Sequence, residues 1–262
     1  YIYIFEGDML AKENKPGDAA MQYDQAINFD ANCALAYMKG ALVYEFINRT
    51  TAIDMMKKAV EIRPDYGIAN KFLAEIYYRD GFYPEAKEAY QKYFAGGDYT
   101  IEDVTRYAAA QYFTQQYDAA LDLIKQGLAK EPNSFVLNRL LMYTSNDTQD
   151  YATGLAAGEK FFSLPKDADS KYLLQDFMAY ANILSESGKK VEAVEEYKKA
   201  IALDPSKIEI NKDVATMLSK EKMYPEAAEF LGKYIELSGE SATAQDYFQM
   251  GRYYYFGGAT VD

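Results

Sequence analysis

Small and bulky apolar residues alternate along this chain with the spacing of one helix face, and the same arrangement returns seven times. A small residue stands at Ala19, Ala52, Ala86, Ala120, Gly154, Ala193 and Ala227, with successive spacings of 33, 34, 34, 34, 39 and 34. Four residues later comes a bulky apolar residue (Tyr23, Met56, Tyr90, Ile124, Tyr197, Leu231), with Gly158 the one exception. Seven residues later comes a second packing position (Ala26, Ala59, Tyr93, Gly127, Phe161, Ala200, Tyr234). Spacing of i, i+4, i+7 places these residues on one side of an α-helix. A second helix precedes each of them, with a small residue at Gly7, Ala41, Ala74, Ala108, Ala181, Ala215 or Gly251, and an apolar partner three residues on at Leu10, Tyr44, Tyr77, Leu184, Leu218 or Tyr254. Small side chains at fixed positions let two helix backbones approach closely. The pattern predicts a helix–turn–helix unit repeated about every 34 residues.

The punctuation agrees. Gly81 and Gly188 fall where a first helix must stop, Pro84 and Pro225 where a second helix starts, and Pro64, Pro132 and Pro205 where second helices end. With these residues in place the chain resembles the tetratricopeptide repeat (TPR) family, most clearly over Gly67 to Thr100 (Leu73-Ala74, Tyr77, Gly81, Ala86, Tyr90) and Leu174 to Lys207 (Ala181, Gly188, Ala193, Tyr197, Ala200, Pro205). The resemblance implies an all-α, right-handed superhelical solenoid. Its copies would span 1–33, 34–66, 67–100, 101–134, 135–168 (degenerate), 174–207 and 208–241, with the first helix of a truncated eighth copy at 244–262.

A longer period lies on top of the short one. The family's small residue at the third packing position is replaced by Tyr93, Phe161 and Tyr234. The helix after each opens with an aspartate, at Asp103, Asp176 and Asp246, 73 and 70 residues apart. Acidic residues favour any helix N-terminus, but the joint recurrence suggests repeats paired at roughly 70 residues. The fifth copy is expected to be the weakest joint, because Gly154 and Gly158 share one helix and extra residues follow it. Hydrogen exchange is then expected to be faster over 145–170 than over 67–130, unless Phe161 and Phe162 fill the space beside the glycines. The last helix, with Tyr247, Met250 and Tyr254 on an inner face and Gly251 at the close-contact position, is expected to leave an aromatic patch. Either further repeats or a second copy of the chain would cover that patch.

Composition removes most chemistry. Among 262 residues there is no histidine and one cysteine, Cys33, so imidazole catalysis, thiolate metal sites and a disulfide framework are excluded. A net charge of −12 with no basic run argues against a nucleic-acid surface. Glu195-Glu196 and Asp167 with Asp169 are ordinary acidic surface. Asn146 to Asp150 lacks the glycine of a calcium loop, with Tyr151 in its place, and Gly154 to Lys160 lacks phosphate-loop spacing. No catalytic residue, metal or cofactor is expected. No segment is long and apolar enough to span a membrane, and the compartment stays open between cytoplasm and cell envelope.

Binding is the function that remains. In the TPR family the groove is lined by positions 2, 5, 6, 9, 12 and 13 of each first helix. Carried over residue by residue, the resemblance names Lys71, Phe72, Glu75, Tyr78 and Arg79, then Thr105, Arg106, Tyr112 and Phe113, then Arg139, Leu140 and Tyr143. Cations and aromatics meet there in an acidic protein, which suits a protein or extended-peptide partner, an acidic one included. The alternative is that the aromatics pack neighbouring helices and the cations pair with Glu75 and Glu102. The family's clamp for a terminal carboxylate needs an asparagine where these copies have Glu75, Ala109 and Tyr143. Reversing Arg106 and Arg139 is expected to weaken capture with little loss of stability. A structural or oligomerisation segment of a larger assembly, self-associating through the final helix, is the competing reading.

Overall fold

The computed structural model describes residues 1–165 and 171–258. Among them are fifteen α-helices: α1 (Ile2–Lys12), α2 (Pro16–Phe29), α3 (Ala34–Tyr44), α4 (Arg49–Ile62), α5 (Gly67–Arg79), α6 (Tyr83–Phe94), α7 (Ile101–Phe113), α8 (Tyr117–Lys130), α9 (Phe135–Asp147), α10 (Tyr151–Ser163), α11 (Leu174–Glu186), α12 (Lys190–Leu203), α13 (Glu209–Lys220), α14 (Tyr224–Ser238) and α15 (Ala244–Phe256). No strand occurs among the described residues. The helices form seven hairpins followed by the single α15, an all-α fold of TPR type. The chain divides into two compact units, Tyr1–Leu140 and Leu141–Asp262, with the division falling inside α9.

The small positions do what their spacing predicts. Ala19, Ala52, Ala86, Ala120, Gly154, Ala193 and Ala227 are all buried on the second helices, and so are Ala41, Ala74, Ala108, Ala181 and Ala215 on the first. Between them the bulky Met56, Tyr90 and Ile124 are sealed from solvent, each contributing about 1.5–3 kcal/mol of apolar burial. Gly127, Gly154 and Gly158 are buried as well. A Cβ built on Gly158 would lie 2.3 Å from the Tyr180 ring, and one on Gly127 would lie 2.5 Å from Leu137. Phe161 and Phe162 close over the same site, the Phe162 ring 5.1 Å from that of Tyr180. The glycines of the fifth copy are therefore sites of close helix approach. The segment 166–170, within the stretch for which fast exchange is expected, lies outside the described residues, as do Asp167 and Asp169.

Six of the seven hairpin turns share one stop signal. The second residue after the first helix adopts a left-handed backbone, and the next amide reaches back to a carbonyl five residues earlier. Gly81 (φ 79°) and Gly188 (φ 81°) do this as glycine should. Asn14, Gln115, Gln149 and Lys222 do it with side chains in place (φ 58–61°). The following amide bonds are Phe82 N–H to Tyr77 O (2.8 Å), Gln116 to Gln111 (2.9 Å) and Met223 to Leu218 (2.9 Å). Second helices begin with Pro at their first turn in α2, α6 and α14.

From α4 onward two kinds of junction alternate along the chain. After the hairpins that end at Pro64 and Pro132, the next first helix carries a buried asparagine whose amide holds the proline's carbonyl. Asn70 donates to Pro64 O (2.9 Å) and Tyr66 O (3.1 Å), and Asn138 donates to Pro132 O (3.1 Å) and Ser134 O (2.7 Å). Asn211 occupies the matching place after Pro205, also buried, and donates to Ile208 O (3.2 Å). Replacing Asn70 by Ala leaves the Pro64 and Tyr66 carbonyls without this donor. It is expected to lower stability by about 1–3 kcal/mol, read as a shift of the urea midpoint. An unchanged midpoint would mean that water replaces the amide without loss.

The other junctions, after α6, α10 and α14, carry the aromatic and aspartate of the double repeat. Asp103, Asp176 and Asp246 are each at most 2% exposed. Thr100 and Thr243 form reciprocal caps with Asp103 and Asp246, and the Leu173 amide donates to Asp176 (2.7 Å). The longer period is thus a physical alternation of a proline–asparagine junction with an aromatic–aspartate one.

One face is read differently from the structure than from the sequence. On α15 the packed residues are Asp246, Met250 and Tyr253, while Tyr247 and Tyr254 are exposed. The buried Asp246 sets the rotation of the helix, and the i+4 and i+7 residues counted from it face α14. Gly251 accordingly has no neighbour within 4 Å of a built Cβ. Together with Phe248, Tyr255 and Phe256, the two tyrosines leave the expected aromatic patch.

Candidate binding surface

Within each unit several neighbouring first helices are joined by side chains about one repeat apart. In the first unit Lys39 of α3 reaches Asp8 of α1 (2.7 Å), Arg79 of α5 reaches Glu45 beyond α3 (3.1 Å), and Arg106 of α7 reaches Glu75 of α5 (3.2 Å). In the second unit Asn182 of α11 donates to Asn146 of α9 (2.7 Å), and Lys212 of α13 meets Asp246 of α15 (2.7 Å). These side chains lie on the surface that the family uses as its groove, so part of that surface's polarity is engaged in holding the stack.

The expected groove residues separate into three settings. Lys71, Glu75 and Arg106 form a charge network: Lys71 lies 3.0 Å from Asp103 and 5.5 Å from the Tyr93 ring, and Arg106 also pairs with Glu102. Burial, opposed by Asp103, would depress the Lys71 ammonium; the carboxylate wins and raises it. Burial raises the Glu75 carboxyl despite Lys71 and Arg106 beside it. Tyr78, Tyr112 and Phe113 gather instead at the turn edge, with Phe113 stacked on Tyr83 (4.2 Å) and Tyr78 edge-on to the same ring (5.7 Å). Phe72, Leu140 and Tyr143 are interior, and the Tyr143 hydroxyl donates to the buried Asp176. Arg139 lies over the Phe135 ring (4.9 Å), and Thr105 bonds back to Ile101 O (2.9 Å).

This geometry changes one expectation. Arg106 sits between Glu75 and Glu102, so reversing it would gather three carboxylates, and the loss of stability would not be small.

A cavity of about 300 Å³ opens on the second unit, between α11 and α13. Asn146, Gln175, Met178, Asn182, Asp213 and Met217 are among its lining residues, with Tyr197 of α12 behind them. These occupy the family's groove positions, or places beside them, in the fifth to seventh copies. Extending the same carry-over beyond the fifth copy would have named Gln175, Asn182 and Asp213. Tyr197 was legible only as a packing residue. Asn146, met in the sequence as part of a defective calcium loop, lies near the end of α9, and Asp150 caps α10 through Thr153 N (3.2 Å). Among the described residues no group of three or more acidic or thiol side chains is placed to hold a metal ion. Nor is any helix there long and apolar enough to cross a membrane.

Comparison with known proteins fits this architecture. YrrB, described as "a TPR protein with an unusual peptide-binding site", superposes with a TM-score of 0.57 at 16% identity, over 72% of this chain and 95% of its own. The APC/C hetero-tetramer Cut9-Hcn1 matches with a TM-score of 0.56 at 13% identity, over 96% of this chain and 48% of that one. MamA from Desulfovibrio magneticus RS-1 matches with a TM-score of 0.56 at 17% identity, over 68% of this chain and 97% of its own. At such identities the likeness carries the fold alone. A search of curated proteins gives no match. The sequence profile of Intraflagellar transport protein 56, by contrast, runs over residues 70–262, well over half of the chain. The chain therefore belongs to the Intraflagellar transport protein 56 family, and its fold is built of tetratricopeptide-type helical hairpins.

Proposed function

We propose that this chain is a non-catalytic scaffold that holds another protein, or an extended segment of one, against its first-helix faces. The observation that carries the reading is the cross-repeat side-chain ladder, which links α1, α3, α5 and α7 in the first unit, and α9 with α11 and α13 with α15 in the second, on the first-helix side. Stacked helical hairpins use such surfaces for extended contacts. In the first unit the contact surface comprises Lys71, Glu75, Arg79 and Arg106 with Tyr78, Tyr112 and Phe113 at its edge. Phe72 and Arg139 support it from within or beside it, and Tyr143 belongs to the second unit, where its hydroxyl reaches Asp176. Aromatics next to arginine are the residue types that dominate interface energies. The family's name supports intraflagellar transport as the process that this scaffold serves. The exposed aromatics of α15 favour a second contact there, with a further helix or another copy of the chain.

Site-specific photo-crosslinking tests the reading. A benzoyl-phenylalanine placed at Tyr78 or Gln175, on first helices, is expected to capture partner protein in extracts of the source cells. The same group at Glu88 or Glu195, on exposed second-helix positions, is expected to capture none. Equal capture from both sets would assign binding to the outer helices and end the proposal. Arg106→Gln, which removes the cation without clustering carboxylates, is expected to weaken capture about tenfold. Its stability should change by less than about 1 kcal/mol, because the arginine's ion pairs are partly solvated.

A further inference from the structure

The cavity between α11 and α13 differs in chemistry from the groove of the first unit. There, Lys71, Arg79 and Arg106 each already face a carboxylate of this chain. Here the carboxylate of Asp213 stands exposed at the rim and makes no hydrogen bond or ion pair among the described residues. Its neighbour Lys212 is turned to Asp246 (2.7 Å). On the wall, the Asn182 amide donates to Asn146 Oδ1 (2.7 Å), which fixes the amide and leaves Asn182 Oδ1 as an acceptor. Behind lies Tyr197, 3% exposed, whose hydroxyl donates to the Met217 thioether at 2.8 Å, a weak acceptor, and keeps its oxygen lone pairs. Burial raises the Tyr197 phenol, so it stays protonated. Met178 and Met217 supply flexible apolar walls.

The set is therefore rich in acceptors, one of them anionic, above a thioether-lined space. That is the complement of a cation carried on an aliphatic stem, because the stem lies on methionine while the head meets carboxylate and amide oxygens. At about 300 Å³ the cavity is at the lower end for a small-molecule site and suits a single side chain. A net charge of −12 would steer a basic segment towards it. We propose that the cavity receives one lysine or arginine side chain of a partner segment lying along the first-helix face of this unit. The proposal rests on the reading of that face as a protein-binding surface. It makes the partner basic at this point, where the sequence had left an acidic partner open.

The test uses the whole 262-residue chain with ¹³C-methyl-labelled methionine, titrated with acetyl-Gly-Arg-Gly-amide and with the Lys, Glu and norleucine versions of that peptide. The Arg and Lys peptides are expected to move the Met178 and Met217 methyl signals saturably, less so at high salt. The Glu and norleucine peptides are expected to leave them in place. Asp213→Asn is expected to weaken the Arg peptide at least fivefold, and Glu195→Gln, exposed on the second helix α12 away from the cavity, to leave it unchanged. Circular dichroism confirms that both variants keep their helices. A norleucine or Glu peptide that moves the signals as strongly as Arg would overturn the proposal, as would an Asp213→Asn variant with undiminished affinity. Either result would leave the wider scaffold reading to the crosslinking at Tyr78 and Gln175, so the two failures are distinguishable.

Discussion

Asp103→Ala is expected to destabilise the first unit by about 2–4 kcal/mol, far more than an ordinary acidic surface substitution. The carboxylate is 1% exposed and accepts from the Thr100 amide (2.9 Å), the Thr100 hydroxyl (2.8 Å), Lys71 (3.0 Å) and the Tyr93 hydroxyl (3.1 Å). Removing it takes away the carboxylate half of the capping box of α7, although the residue's own N–H still reaches the Thr100 hydroxyl (3.2 Å), and leaves Lys71 facing only Glu75 at 3.8 Å. A fully lost cap costs about 0.5–2 kcal/mol, of which half a box is the smaller part, and removing one member of a buried pair costs about 3–5 kcal/mol. The second figure is reduced here because Lys71 is about one-third exposed. Urea denaturation should show the loss, with faster hydrogen exchange over 67–130 than in the wild type. A second change, Lys71→Met, should recover part of it, since the cation no longer seeks a missing partner. A wild-type midpoint for Asp103→Ala would show that the junction is held by packing alone.

The same carboxylates make the fold sensitive to acid. Burial alone would raise the Asp103 carboxyl; the Thr100 amide, Lys71 and the Thr100 hydroxyl outweigh it and hold it below its ordinary value. At Asp246 the Lys212 hydrogen bond, with the Thr243 amide and hydroxyl, lowers it to about 2. A carboxyl depressed in the folded state contributes fully above its unfolded value near 4, and that contribution is lost as pH falls through the folded value. Stability from these groups should therefore be level from pH 5 to 8 and decline between about pH 4 and pH 2. The decline should be shallower in Asp246→Asn. At the alkaline end the sign reverses: burial pushes the Tyr180 phenol up to about 12, so its contribution is present below pH 10 and lost as pH rises through that value.

What the sequence made legible follows from which constraints are local. Ala86, Tyr90 and their counterparts show through because two helices in close contact dictate side-chain size at fixed spacing, and no distant residue can relieve it. The double repeat shows through for the same reason, since Tyr93 and Tyr234 are too large for the place they occupy unless the junction changes. The partners of the cations did not show. Lys71 and Asp103 stand 32 residues apart, and only the stacking of one hairpin on the next decides which carboxylate a lysine meets. The turn stops at Gln115 and Lys222 were equally hidden, because hairpin geometry forces a left-handed backbone that those residues do not favour by themselves. The rotation of α15 was misjudged by one residue, for Asp246 is fixed by Lys212 from another hairpin. The cavity beside Asp213 lies where two first-helix faces stand apart, a property of the packing that no single helix records.

The two glycines at Gly158 and Gly251 should answer alanine in opposite ways. Both lie inside helices, where replacing glycine by alanine gains about 0.5–1 kcal/mol of helix propensity. At Gly251 no atom lies within 4 Å of the added carbon, so Gly251→Ala is expected to realise that gain in full. At Gly158 the added carbon would fall 2.3 Å from Tyr180 Cδ2 and 2.4 Å from Cε2. The ring has little room to retreat, being 9% exposed with Phe162 against it at 5.1 Å. Forcing extra volume into such packing costs about 1–3 kcal/mol, which outweighs the propensity gain. Gly158→Ala should therefore lose about 1–2 kcal/mol, and Gly158→Val, which adds β-branching to the clash, about 3 kcal/mol or more. Truncating the ring separates clash from any intrinsic role of the glycine: in a Tyr180→Ala background, Gly158→Ala should turn from destabilising to neutral or better. If Gly158→Ala is as stabilising as Gly251→Ala in the wild-type background, α10 and α11 are not in the close contact that the repeat demands of them.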